Sequence, residues 1–221
     1  MTASPALQPL DTTPMHDRAY RALRRAIMAG VYAPGETISL GRLAKALGTS
    51  IMPVREALRR LAAECAVEII PKRGVRIPKI TREKYEDLGR VRLELEGMAA
   101  EMAAHRITGT ELESLELYCA QMNEIAHDGA RWQEYVVINC DFHFTVYRSS
   151  HSEVLLPLIE ILWLQSGPLL SLYRERGIRR KPGLHEAIIS ALKDRDAVAA
   201  REAVQADLWN GIDFIRSVAP F

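Results

Sequence analysis

Cysteine is scarce: Cys65, Cys119 and Cys140 are an odd count with no CxxC spacing, which excludes a disulfide framework and a zinc-thiolate module. A reducing cytoplasm suits such a chain. Aromatic residues make up only 6% while Ala and Leu abound, a balance that favours packed helices over a sheet-rich fold. Apolar runs are expected to fall short of the roughly 18 residues that span a bilayer. Met1 to Pro14 lacks the basic start and apolar centre of a signal peptide, so no membrane partner is expected. Net charge is nearly absent too, at +1. What is there is an ordinary globular mixture, 48% hydrophobic and 26% charged in 221 residues, enough for one large or two small domains with a real core.

The small net charge hides an asymmetry. Residues 1–80 carry 13 Lys and Arg against 6 Asp and Glu, net +7, whereas the remaining 141 carry 16 against 22, net −6. A basic domain joined to an acidic one is expected where only the first meets a polyanion; the plainer alternative is that short basic helices merely solvate a small domain.

Residues 1–14, with three Pro and no apolar periodicity, are expected to be a flexible tail. Tyr20, Leu23, Ile27 and Met28 then recur at helical spacing until Gly30 stops the helix. Tyr32, Pro34 and Gly35 predict a turn, and Ser39 can cap a short helix through Leu43, Ala44 and Leu47. After Gly48, Thr49 and Ser50 are candidate caps for a third helix to about Glu64, with Pro53 in its first turn and Val54, Leu58 and Leu61 facing inward. Two short helices around a Gly-containing turn make a helix-turn-helix. Val67 to Ile70 and Val75 to Ile77, around Pro71, Lys72, Arg73 and Gly74, read as a hairpin and complete a winged helix. Beyond Thr81, Leu88, Val91, Leu95, Met98 and Met102 give a long amphipathic helix to about His105. Further helices are expected near 109–128, 131–150, 153–165, 167–176, 182–193 and 196–216, with Arg179, Arg180 and Lys181 as an exposed basic loop. The fold class is therefore mainly α: a winged helix-turn-helix over 15–79 and an all-helical antiparallel bundle over 80–221.

The third helix offers Arg55, Arg59 and Arg60, and the helix before it Arg42 and Lys45. Residues near the start of a recognition helix meet base edges while flanking cations meet phosphates. Arg55 is the candidate base reader, because guanidinium bonds guanine O6 and N7 bidentately; Arg42 and Lys45 are candidate phosphate contacts. Lys72, Arg73 and Arg76 surround Gly74, where a missing side chain would let backbone approach a minor groove.

The stretches Tyr20-x-x-Leu23, Gly30-Val31-Tyr32-Ala33-Pro34-Gly35-Glu36, Leu43-Ala44, Leu47-Gly48-Thr49-Ser50 and Pro53-Val54-Arg55-Glu56-Ala57-Leu58-Arg59-Arg60-Leu61 resemble the amino-terminal domain of the GntR family of bacterial transcription regulators. The resemblance covers residues 16–78 and implies a DNA-binding role for Ser50, Pro53, Arg55 and Arg59, with Arg73 and Gly74 as the wing. One departure stands out: the family usually has Arg directly after the serine, and this chain has Ile51 followed by Met52.

In the helical half, Asn139 and His143 stand four apart and share one helical face, while His185 and Asp207 fall on two later helices. Two imidazoles with oxygen donors suit a divalent ion such as Zn, Ni or Mn; the alternative is that each His is a hydrogen-bonded interior residue. Arg92-x-x-Leu95-Glu96 with Ala99 and Ala100, Asn139-x-x-Phe142-His143, and His185-x-x-Ile188-x-x-Ala191 with Asp196 and Ala200 resemble the all-helical effector domain of the FadR branch, called FCD. The resemblance implies a metal at Asn139, His143, His185 and Asp207 beside a small carboxylate or sugar-acid effector. Asn139 and Asp207 depart from the usual Asp and His there. Arg92 is the candidate partner for the effector's charge.

The sequence reading is thus a homodimeric, non-enzymatic DNA-binding regulator on a palindromic operator, controlled by a small organic acid. Two rivals remain at this point: a helical metalloenzyme with a nucleic-acid tether, in which His143, His185 and Asp207 hold a water-activating ion, and a ligand-independent DNA binder.

Overall fold

The structure, a computed structural model, describes residues 13–176 and 181–221. All of the expected tail but Thr13 and Pro14 lies outside the described residues, as do Arg179 and Arg180. The chain begins with helix α1, Met15–Met28, whose Ala19, Tyr20, Leu23 and Ile27 form a buried stripe. Strand β1, Thr37–Ile38, leads to helix α2, Leu40–Ala46, which Ser39 caps by accepting the Arg42 amide at 3.2 Å. Helix α3, Ile51–Ala63, buries Val54, Ala57, Leu58 and Leu61 and packs chiefly on α1. Strands β2, Glu68–Ile70, and β3, Gly74–Arg76, form the expected hairpin, but the sheet has three strands in the order β1-β3-β2. β1 was not expected, since two residues are too few to show an alternation.

Helix α4, Arg82–Ala104, starts at Thr81, whose hydroxyl accepts from the Lys84 amide. It is followed by α5, Gly109–Ile125, with a complete capping box between Thr108 and Glu111, and by α6, Trp132–Arg148. The apolar stretch that follows corrects one sequence expectation: Leu155–Leu172 does reach the length and mean hydropathy, 1.5, of a membrane span. Half of it is buried in this fold, and it divides into helix α7, Leu155–Ser166, and a 3-10 segment, Gly167–Leu172, that runs into the short α8, Tyr173–Arg176. Helices α9, Leu184–Lys193, and α10, Ala197–Val218, finish the bundle. α4 and α10 run antiparallel: Gly89 lies against Ile212, Gly97 against Arg201 and Gln205, and Arg201 reaches Glu101 at 3.0 Å.

The winged domain is seated on the bundle. A Cβ on Gly30 would come within 2.7 Å of the Ser171 amide nitrogen, and one on Gly167 within 2.6 Å of the Met28 carbonyl oxygen, so both backbones meet with no room for a side chain. Arg24 pairs with Glu160 of α7, and Arg25 with Asp141 of α6 at 2.6 Å. One continuous apolar core runs from Ala19 in α1 to Val204 in α10.

Candidate functional site

Two sites emerge, one on each half. On the winged half, α3 turns Val54, Ala57, Leu58 and Leu61 inward and leaves Ile51, Met52, Arg55 and Arg59 exposed, with Arg42 and Lys45 exposed on α2. Ser50 occupies the N-cap position but its side chain makes no capping bond, and Pro53 sits in the first turn, where its missing N–H costs nothing. A groove lined by Ile51, Arg55, Arg59, Lys72, Arg73 and Gly74 separates α3 from the wing. Arg59 bonds Glu56 at 2.8 Å, whereas Arg55 makes no ion pair among the described residues. Arg60 is committed elsewhere, bonded to Asp17 at 2.6 Å with its guanidinium 3.9 Å from the Tyr20 ring centre, so it ties α3 to α1.

The wing differs from expectation in detail. Its tip is Pro71, Lys72 and Arg73; Gly74 is buried within β3. With φ +123° and a would-be Cβ 2.2 Å from the Ile38 carbonyl oxygen, Gly74 is required by the passage of β1. Arg76 is likewise off the tip, paired with Glu68 across the hairpin at 2.9 Å.

In the bundle, α6, α9 and α10 bring His143, His185 and Asp207 together, with donor atoms all within 4.8 Å of one another. His143 Nε2 lies 3.1 Å from Asp207 Oδ2, and His185 Nε2 lies 3.5 Å from Asp207 Oδ1. Burial alone would raise the Asp207 carboxyl, but electrostatic attraction to His185 and hydrogen bonding to His143 and His185 outweigh it and hold the carboxyl well below the usual carboxylate range. Asn139, one turn before His143, lines the same cavity as His143, Asp207 and Arg92, which has a volume of about 90 Å³. His185 is buried behind that cavity, its ring 4.4 Å from that of Phe142.

Arg92 reaches the cavity already partnered. Its Nε donates to Glu96 Oε1 at 2.6 Å and its Nη1 to the Ser166 hydroxyl at 3.1 Å, with the guanidinium 4.6 Å from the Trp163 ring centre. Burial would favour losing its proton, but the Glu96 carboxylate keeps it charged. Tyr147 is a site residue absent from the sequence expectations, and Glu96, present there only as part of the FCD resemblance, had no role assigned to it. Each stands four positions from a residue that was singled out, His143 and Arg92, and that spacing was the available signal.

The hydrogen-bond network bears on the donor set. Tyr147 donates its hydroxyl proton to Glu96, so toward His143 Nδ1, 3.3 Å away, it can only accept. The tautomer that satisfies this contact carries its hydrogen on Nδ1 and turns Nε2 toward the Asp207 carboxylate. A lone pair facing a carboxylate oxygen repels it unless a proton or a metal cation stands between them. Donor atoms held about 2.0–2.2 Å from one ion lie roughly 3 to 3.6 Å apart, which the two His to Asp distances match. The residues present fit a divalent ion.

Residues 15–77 match the family model for bacterial regulatory proteins, gntR family, and residues 87–209 match that of the FCD domain. The HTH-type transcriptional regulator McbR of Escherichia coli K12 is 28% identical over 186 residues, 82% of this chain and 84% of that protein. The HTH-type transcriptional repressor RspR of the same strain is 27% identical over 220 residues, 99% of this chain and 95% of that one. The solved structure of E. coli McbR/YncC superposes with a TM-score of 0.84 at 25% identity, covering 93% of this chain and 99% of that chain. Such names belong to regulators and not to enzymes, which sets the metalloenzyme rival aside. This chain belongs to the GntR family, as a DNA-binding transcriptional regulator that pairs a winged helix-turn-helix with an FCD effector domain.

Proposed function

We propose that this regulator is a cytoplasmic homodimer that binds a palindromic operator and changes its grip when a small carboxylate or sugar acid enters the Arg92-lined cavity beside a divalent ion. Arg55 reads a base; Arg42, Lys45, Ser50, Arg59 and Arg73 meet the DNA backbone; Pro53 and Gly74 fix the helix start and the wing. Two winged domains related by a two-fold axis call for a two-fold site, and one alone buries too little surface for operator-level affinity. Val91 and Met98, exposed two turns apart on α4, offer apolar surface for the dimer.

The observation that carries the effector reading is the charge of the cavity. Arg92 and Asp207 both line it and Glu96 is bonded to Arg92 from behind, so the one guanidinium is already matched by carboxylates and an entering acid gains from further positive charge. Asn139, His143, His185 and Asp207 would hold a Zn, Ni or Mn ion, which supplies two positive charges and open positions for a carboxylate. The Arg92 guanidinium, fixed by Glu96 and Ser166, orients that carboxylate through its remaining N–H groups.

The test is elemental analysis of full-length protein purified without chelator or nickel resin, together with DNA titrations across a panel of small organic acids. About one divalent ion per chain is expected, with a 5- to 150-fold change in DNA affinity from one class of acid, the range of a typical allosteric coupling. His143→Ala with His185→Ala should abolish both. A parent protein without metal, whose acid response survives the double variant, would show that these histidines are packing. If no acid alters DNA affinity or thermal stability, the bundle only dimerises.

A further inference from the structure

The first turn of α3 carries no charge: from Ala46 to Val54 every residue is neutral. Yet it is the part of a recognition helix that meets base edges. What it presents is apolar. Ile51 is 44% and Met52 58% exposed, the first two residues of the helix, while the apolar residues Val54, Ala57, Leu58 and Leu61 are buried beneath them. Met52 and Arg59 are seven apart, and Ile51 and Arg55 four apart, so the two apolar side chains extend the exposed face on which Arg55 stands. Ile51 also lines the groove that Arg55 and Arg59 share with Lys72 and Arg73 of the wing, a cationic frame that suits a phosphate backbone.

We infer that Ile51 and Met52 are specificity residues that read thymine by packing against its C5-methyl group in the major groove. This rests on the reading of α3 as the recognition helix. Of the major-groove edges, only thymine offers a methyl; the others present hydrogen-bond donors and acceptors that an aliphatic or thioether side chain leaves unpaired. The face is therefore selective by both gain and penalty: thymine gives it apolar contact, and a cytosine in its place puts an unpaired N4 amino group against Ile51 or Met52. Met52 can adjust to the methyl because its thioether chain is unbranched, while Ile51, branched at Cβ, is held to few rotamers and fixes the position being read. Arg55, one turn on, would read an adjacent guanine, so each half-site is expected to hold a thymine next to the base that Arg55 contacts.

The experiment uses the full-length protein and an operator selected from random duplexes. Each thymine is replaced singly by deoxyuridine, which removes the methyl and nothing else, and affinity is read by fluorescence anisotropy. One or two positions per half-site should lose about fourfold, the factor for burying one carbon group, and all other positions should be silent. In Ile51→Ala with Met52→Ala, exposed substitutions in a good helix former, that uracil effect should vanish while Arg55→Ala still erases site preference. A uracil loss that persists in the double variant, or uracil that is neutral at every position while Arg55→Ala still erases preference, would overturn methyl reading and leave the recognition helix in place. If neither uracil nor Arg55→Ala changes anything, the recognition-helix reading itself fails and takes the proposal with it.

Discussion

At the scale of the residue, the decisive chemistry is a buried charge and its partner. Arg92 and Glu96 face each other on successive turns of α4, both out of water, with Ser166 and Tyr147 taking up further hydrogen-bonding capacity. Removing one member of such a pair strands the other, at a cost of about 3 to 5 kcal/mol, whereas an exposed pair is worth about 1 kcal/mol or less. Glu96→Gln is therefore expected to destabilise the fold strongly in urea denaturation, while Glu94→Gln, at the exposed end of its pair with Arg201, should lower stability only slightly. Equal effects from the two would mean that Arg92 finds another partner. Asn139 and His143 could be placed on one face from the sequence, because four residues make about one turn. That His185 and Asp207 would join them depends on how α9 and α10 pack, which no local spacing records.

The elements themselves were more legible than the contacts between them. Helices α1 to α6 begin and end within a few residues of their expected bounds because Ser39, Thr81 and apolar stripes mark them locally. The segment expected as one helix over 167–176 is instead a 3-10 run followed by a single α turn, since Gly167 must lie flat on the Met28 backbone. On α3 the sequence shows three arginines on a short helix and cannot tell them apart; the structure does, because Asp17 and Tyr20 hold Arg60. Arg60→Ala should thus lower stability by about 1 kcal/mol and leave the salt dependence of DNA binding unchanged. Arg42→Ala and Lys45→Ala should each flatten that dependence by about 0.9 in slope, weakening specific and nonspecific binding alike. Arg55→Ala should weaken the specific site far more than random DNA. Footprinting that finds the same site protected by the Arg55 variant would refute its assignment.

At the scale of the whole molecule, the 3-10 segment joins the two halves. Gly167, Leu169 and Leu170 wall the Arg92 cavity, proposed above as the effector site, and Gly167 and Leu170 also meet the end of α1 and the turn after it, with Met28 and Gly30 in backbone contact. A ligand that displaces this wall must displace the seat of the winged domain, which gives effector control a physical route of one element rather than a long relay. The shared seat also makes the apolar core continuous from α1 to α10, so neither half should unfold without exposing apolar surface of the other. Scanning calorimetry of the parent protein is accordingly expected to show one transition, although the chain holds two recognisable family domains. Gly167→Ala puts a methyl group where 2.6 Å separates it from the Met28 carbonyl oxygen, a contact that backbone on both sides prevents from relaxing cheaply. The seam should open by a few tenths of an ångström or more, and the single transition should separate into two while each half keeps its helices by circular dichroism. Two transitions in the parent protein, or an unchanged single one in a well-folded Gly167 variant, would mean that the halves are held together by something other than this seam, and the cavity wall would lose its claim to carry the signal.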